Sequence, residues 1–200
     1  MFSEKLFKSF DSYLPLNKAE KKDLSSRLTE RRLKRRQYIL QQNDVCNHFT
    51  FIVEGCLRKF YIDNKGAEHN IQFATEDDWI TEYDSFYSVR PSLLSIEAIE
   101  PSVILQISRN DLLFLFLNNA KYDRNFRVIA EKKYIELENR ILESARCGAE
   151  ERYLSFLSRY PNLAARLPNL QIASYLGITP EFFSRVKNKV IANNAAAQNH

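Results

Sequence analysis

Glu181, Ser184, Arg185 and Asn188 recur at three- and four-residue spacing, so a helix through them presents all four on one face. That set matches the edges of base pairs. An arginine such as Arg185 can donate two parallel hydrogen bonds to guanine O6 and N7, a carboxylate such as Glu181 can accept from a cytosine amino group, and Ser184 and Asn188 offer adaptable polar contacts. Thr179, Lys187 and Lys189, with the free amides at the helix start, suit phosphates, which position a protein on a duplex without reading sequence. Phe182 suits either packing or a thymine methyl.

These side chains need a rigid support, and residues 170–190, LQIASYLGITPEFFSRVKNKV, have the layout of a helix-turn-helix. Ile172, Ala173 and Leu176 face inward on the first helix, with Ala173 small where the helices approach. Gly177 is free to turn left-handed, Ile178 plugs the core, Thr179 caps the second helix and Pro180 fills its first turn, where no donor is lost. Phe183, Val186 and Val190 then form the buried stripe. Charge points the same way. From Arg152 onward there are six basic residues and one acid, Glu181, a net +5 that leaves about −1 for the rest of a +4 chain. Phosphate attraction supplies most non-specific nucleic-acid affinity, so this end is suited to a polyanion.

Upstream, residues 123–147 form the longest helical segment, without Gly or Pro. Ala130, Tyr134, Leu137, Ile141 and Ala145 make a near-heptad seam, while Val128, Ile135 and Leu142 recur every seven residues on a second face. Two apolar faces need two partners: one face can cover the barrel of the same chain and the other suits the same helix of a second copy, while a single helix buried between domains is the competing reading. Gly148 ends this helix as a hinge candidate, and a further helix is expected over 149–159. Between 38 and 108 the pattern changes to short segments rich in Ile, Val, Phe and Tyr, with a hairpin turn at Asn64-Lys65-Gly66. Such spacing predicts an antiparallel sandwich or jelly-roll barrel. A short helix capped at Ser108 follows it, and residues 3–36 read as helical around a break at Pro15, with Asn17 as a cap.

The 200 residues, 44% hydrophobic and 27% charged, exclude a disordered or fibrous chain. Cys46, Cys56 and Cys147 are odd in number and widely separated, and His48, His69 and His200 form no metal-binding spacing, so neither a metal nor a cofactor is implied. No apolar run approaches a membrane span and the start, MFSEKLFKSF, is not a signal peptide; a cytoplasmic protein without membrane contact is expected.

A barrel of short strands, one long helix and a carboxy-terminal helix-turn-helix, in that order, resembles the Crp/Fnr superfamily of transcription regulators. IASYLGITPEFFSRVK is similar to that family's recognition motif, and FTFIVEGCLRKFYIDNKGAEHNIQF to the early strands of its cyclic-nucleotide-binding-like barrel. The implied fold class is α+β: an antiparallel β jelly-roll barrel with flanking helices, a long dimerisation helix and a carboxy-terminal, winged-helix-like helix-turn-helix. Implied domains are a sensor at 1–120, a dimerisation helix at 121–147 and a DNA-binding domain at 148–200. Implied partners are double-stranded DNA, a second copy of the chain, RNA polymerase and a small-molecule effector.

Cyclic-nucleotide-binding members carry a Gly-Glu pair, whose glutamate holds the ribose, followed about ten residues later by an arginine for the cyclic phosphate. In WITEYDSFYSVRPS, Glu82 matches the glutamate, Thr81 replaces the glycine, and Arg90 arrives two residues early before Pro91-Ser92. Glu82, Arg90 and Ser92 are the effector pocket this alignment implies; its departures argue against cyclic AMP and leave an unknown small anion or no ligand. No cysteine precedes Cys46, so the family's iron-sulfur cluster is not expected, and IANNAAAQNH after Val190 leaves little chain for a strand wing. Two other readings compete: a cupin-like barrel enzyme, which needs converging histidines, and a ligand-binding module that does not bind DNA.

Overall fold

In the computed structural model, which describes the backbone of residues 3–198 and the side chains of residues 3–193, the chain opens with α1 (Ser3–Asp11). Leu6 and Phe10, one turn apart, are its buried face. Helix α2 (Lys18–Arg27) starts at a capping box in which the Asn17 side chain accepts from the Glu20 amide at 2.9 Å and Glu20 accepts from the Asn17 amide at 2.6 Å. The helix expected to continue to residue 36 stops at Arg27. Leu28–Leu33 is instead strand β1, paired antiparallel with β8 (Ser102–Ser108) from Leu28↔Ile107 to Leu33↔Ser102. The long-range ladder outcompetes the local helical reading there, and the barrel begins ten residues earlier than the sequence pattern indicated.

Six more strands follow β1: β2 (Tyr38–Leu40), β3 (His48–Glu54), β4 (Leu57–Ile62), β5 (Glu68–Ala74), β6 (Trp79–Ile80) and, after α3 (Tyr83–Ser88), β7 (Ser95–Ala98). They form two four-stranded sheets, β1-β8-β3-β6 and β2-β7-β4-β5. Phe49, Phe51, Trp79, Phe86 and Phe126 pack between and beside them, with Trp79 and Phe126 ring centroids 4.9 Å apart near edge-on. Helix α4 (Arg109–Asn118) is capped as expected, Ser108 accepting from the Asp111 amide at 3.1 Å.

Helix α5 runs from Ala120 to Arg146. Its buried positions are Tyr122, Asn125, Phe126 and Ile129, a one-turn repeat confined to the first third. Then come α6 (Ala149–Arg159), α7 (Leu163–Arg166), α8 (Asn169–Leu176) and α9 (Pro180–Gln198). Gly148 does not end α5 in a left-handed turn. Its φ of −66° and ψ of 169° make it the amino-terminal cap of α6, with its amide donating to Glu151 at 2.8 Å.

The chain divides into two compact units. One takes the residues up to Ile62 together with Ile71–Lys133; the other takes Asp63–Asn70 and the residues from Tyr134 onward. In the second unit, Phe183 is fully buried edge-on against Tyr153 at 5.1 Å, and Arg140 and Arg152 donate to the last carbonyls of α8, Tyr175 O and Leu176 O, both at 2.8 Å. Cations there complement the negative end of the helix. The Asp63–Asn70 turn joins α8 as well: Asn70 donates to Gln171 Oε1 at 2.7 Å, and Ser174 donates to Glu68 O at 2.7 Å. Among the described residues no helix is long and apolar enough to cross a membrane.

Candidate nucleic-acid interface

The turn between α8 and α9 has the anticipated chemistry. Gly177 sits at φ +67°, ψ 37°, the left-handed region where a side chain is strained, and its amide closes α8 on Ser174 O at 3.2 Å. Ile178 donates to Ala173 O at 3.1 Å, and Thr179 Oγ1 accepts from the Phe182 amide at 3.2 Å, capping α9 ahead of Pro180. Ile172, Ala173, Leu176, Phe183, Val186 and Val190 are all buried.

With that stripe inward, Thr179, Glu181, Ser184, Arg185, Asn188 and Lys189 are exposed and Lys187 is half-buried. The Arg185 guanidinium lies 5.4 Å from the centre of the exposed Phe182 ring, a partner that holds the cation without consuming its donors. Ser184 Oγ donates to Pro180 O at 3.0 Å, Lys187 Nζ to Asn169 Oδ1 at 3.1 Å, and Lys189 pairs with Glu150. Both lysines therefore start from partners on neighbouring helices, and Arg185, Glu181 and Asn188 present the open polar edge. Among the described residues no strand follows α9.

The α5 positions separate into two groups. Ala130 is half-buried and lines a cavity beside Phe126, whereas Tyr134 is 61% exposed, Leu137 47% and Ile141 61%, with Ala145 also exposed. Ile135 and Leu142 of the other face are exposed too.

In the barrel Glu82, Arg90 and Ser92 each have partners of their own. Glu82 caps α3, its two carboxylate oxygens accepting from the Asp84 amide at 3.1 Å and the Ser85 amide at 2.8 Å. Arg90 is 72% exposed on the equally exposed Asp84, at 3.2 Å. Buried Ser92 folds its hydroxyl back onto Leu94. In this structure the three residues thus cap a helix, pair with an exposed carboxylate and close a turn.

Sequence reasoning passed over the cation that does enter the barrel. Lys59 on β4 is 8% exposed and donates to Thr81 O at 3.1 Å, and burial lowers its ammonium to about 8 despite the pull of Glu82 and the Cys46 thiol. Its neighbour Arg58 makes a buried ion pair with Glu97 at 2.6 Å and stacks on Phe60 at 3.8 Å. The signal was a pair of basic residues within CLRKFYID, an otherwise apolar strand. Cys46 Sγ lies 3.4 Å from Thr81 Oγ1, and Cys46, Cys56 and Cys147 are not in disulfides. His48 is held below its usual range by burial and Arg31, while His69 contacts Asp63 at 2.9 Å, so the two histidines occupy different surroundings. Among the described residues, no group of three His, Cys, Asp or Glu side chains is arranged to hold a metal.

Comparison with known proteins agrees with this architecture. Residues 30–119 match the cyclic nucleotide-binding domain family. FixK2 from Bradyrhizobium japonicum superposes with a TM-score of 0.72 at 20% identity, covering 84% of this chain and 86% of that one. A regulator of the Crp/Fnr family from Eubacterium rectale gives 0.70 at 18% identity, covering 93% and 88%. CLP from Xanthomonas campestris, a c-di-GMP-responsive global regulator, gives 0.69 at 14% identity, covering 86% and 91%. No curated protein matches by sequence.

Proposed function

Taking as premise that the chain has the fold of the Crp/Fnr regulators, with a cyclic nucleotide-binding domain at residues 30–119, we propose that it is a homodimeric, sequence-specific DNA-binding transcription regulator. In this reading residues 1–120 are the sensor, 121–147 the dimerisation helix and 148–200 the DNA-binding domain. The observation that carries it is the open Glu181–Arg185–Asn188 edge on a helix whose start is fixed by Gly177 and Thr179. A face of that kind fits the major groove, with Arg185 reading guanine and Thr179, Lys187 and Lys189 meeting phosphates.

Dimerisation follows from α5. Tyr134, Leu137 and Ile141, flanked by Ala145, are exposed among the described residues, and a second copy presents the same helix for a two-fold seam. The two recognition helices then meet half-sites about one helical turn apart on an inverted repeat. Such a protein works in the cytoplasm, with DNA and RNA polymerase as partners and a small molecule as effector. The departures at Thr81 and Pro91 argue against cyclic AMP as that effector, and the capping role of Glu82 supports the same reading.

Selection from a random duplex pool at moderate salt, with and without cyclic AMP, tests the reading. Enrichment of an inverted repeat, independent of cyclic AMP, is expected. A module that only binds ligand or protein enriches nothing.

A further inference from the structure

A second candidate effector site lies outside the strands of the barrel, in the first unit. A cavity of about 200 Å³ is walled by Phe49 of β3, Tyr83 and Tyr87 of α3, Phe116 of α4 and Phe126 of α5, with Ala130 of α5 as its one small lining residue. The rings offer both edges and faces. Phe49 meets Tyr83 at 5.7 Å and Phe126 at 5.5 Å, both edge-on, and Phe116 meets Phe126 edge-on at 5.5 Å, while Tyr83 and Tyr87 lie parallel at 6.4 Å. Edge-on and offset-parallel arrangements are those in which an added aromatic ring is attracted.

One polar feature completes the lining: Asp123 and Arg127, one turn apart on α5 and joined at 2.6 Å. Together they are neutral and supply an acceptor beside a donor. Tyr83 is pushed up to about 12 by burial, and Tyr87 is raised by burial and by Asp123, so the wall carries no tyrosinate at neutral pH. Volume limits the occupant further. Pockets for drug-sized ligands measure roughly 300–1,000 Å³, so this smaller one takes one or two fused rings.

We propose that this cavity is a binding site for a neutral one- or two-ring aromatic molecule with an amide or lactam edge, the ring lying among the aromatic walls and the edge meeting Asp123 and Arg127. Phe126, Ala130, Asp123 and Arg127 all belong to α5, so occupancy bears on the helix that carries the dimer seam. Its role as an effector site rests on the regulator reading; occupancy itself does not.

The test uses the full chain without DNA. Trp79, the only tryptophan, lies 5.4 Å from Phe49 and 4.9 Å from Phe126, directly behind the wall, so its emission reports occupancy. Titration with 2-quinolone is expected to quench it saturably, with half-saturation at roughly 10–100 μM. Cyclohexanecarboxamide, which keeps the amide and lacks the aromatic ring, is expected to bind at least about tenfold more weakly. Ala130→Leu fills the space and should abolish saturation; Tyr87→Ala, at a 54% exposed position, tests the wall without opening the core and should weaken binding several-fold. Absence of saturation at millimolar quinolone, equal binding of the saturated analogue, or unchanged binding in a folded Ala130→Leu or Tyr87→Ala protein overturns the proposal. A chain that binds quinolone and enriches no DNA keeps this site and loses the regulator reading; the converse result does the reverse.

Discussion

The helix-turn-helix and the strand barrel use polar residues in opposite ways. On α9, Glu181, Arg185 and Asn188 are exposed and their support is apolar and local, a buried stripe plus a glycine turn and a threonine cap. In the barrel the polar groups are inside. Lys59, Arg58, Glu97 and Glu82 are each less than a tenth exposed and hold one another or the backbone in place. An exposed polar face on a rigid support is available to a partner, whereas an internally satisfied one has been spent on structure. The same contrast separates the exposed polar face of α9 from the buried polar groups of the barrel.

Substitutions sharpen the contrast. The largest effect is expected from Phe183→Ala, which empties the fully buried position on the inward face of α9 and should cost about 3–5 kcal/mol, read by denaturant unfolding. A loss below about 1 kcal/mol breaks the claim that α9 is rigidly mounted. Next is Lys59→Met, expected to raise stability by roughly 1–3 kcal/mol at pH 7, because a buried ammonium is replaced by an apolar chain of similar length. Since Lys59 titrates near 8 when folded against 10.5 when free, the native protein should gain stability as pH rises between those values, where the unfolded chain holds the extra proton. The advantage of Lys59→Met should therefore shrink over that window, and a pH-independent difference contradicts the buried-cation account.

Smaller effects test the turns. Thr179→Ala removes the cap of α9 and should cost about 1 kcal/mol. Val89, a β-branched residue at φ +59° at the end of α3, should yield about 0.5–1 kcal/mol of stability when changed to glycine. Arg90→Ala should leave the melting temperature unchanged, because its pair with Asp84 is solvated; a marked loss restores Arg90 to a structural or ligand-holding role.

What could be read in the sequence was what is decided locally. Gly177, Thr179 and the inward stripe follow from turn chemistry and helical period, as do the caps at Asn17 and Ser108. Contacts distant in sequence were not legible. Arg31 and Arg32 looked like the end of a helix, yet pairing with Ile104 and Val103 draws them into β1. Spacing aligned Glu82 with a ribose-binding glutamate, but the short α3 that begins one residue later takes its carboxylate as a cap. Ala130 fits the heptad seam, while its surroundings place it against aromatic rings from three other elements. Lys59 reads as an ordinary strand residue until the two sheets close over it.

The most direct test of the central claim is to compare binding of the native chain and Arg185→Ala to the enriched inverted repeat and to an unrelated duplex of equal length, at one fixed salt concentration. The account predicts that Arg185→Ala loses roughly 10- to 100-fold on the repeat and little on the unrelated duplex, because the guanidinium reads a base rather than a phosphate. Equal loss on both duplexes, or no loss on either, contradicts sequence reading by α9.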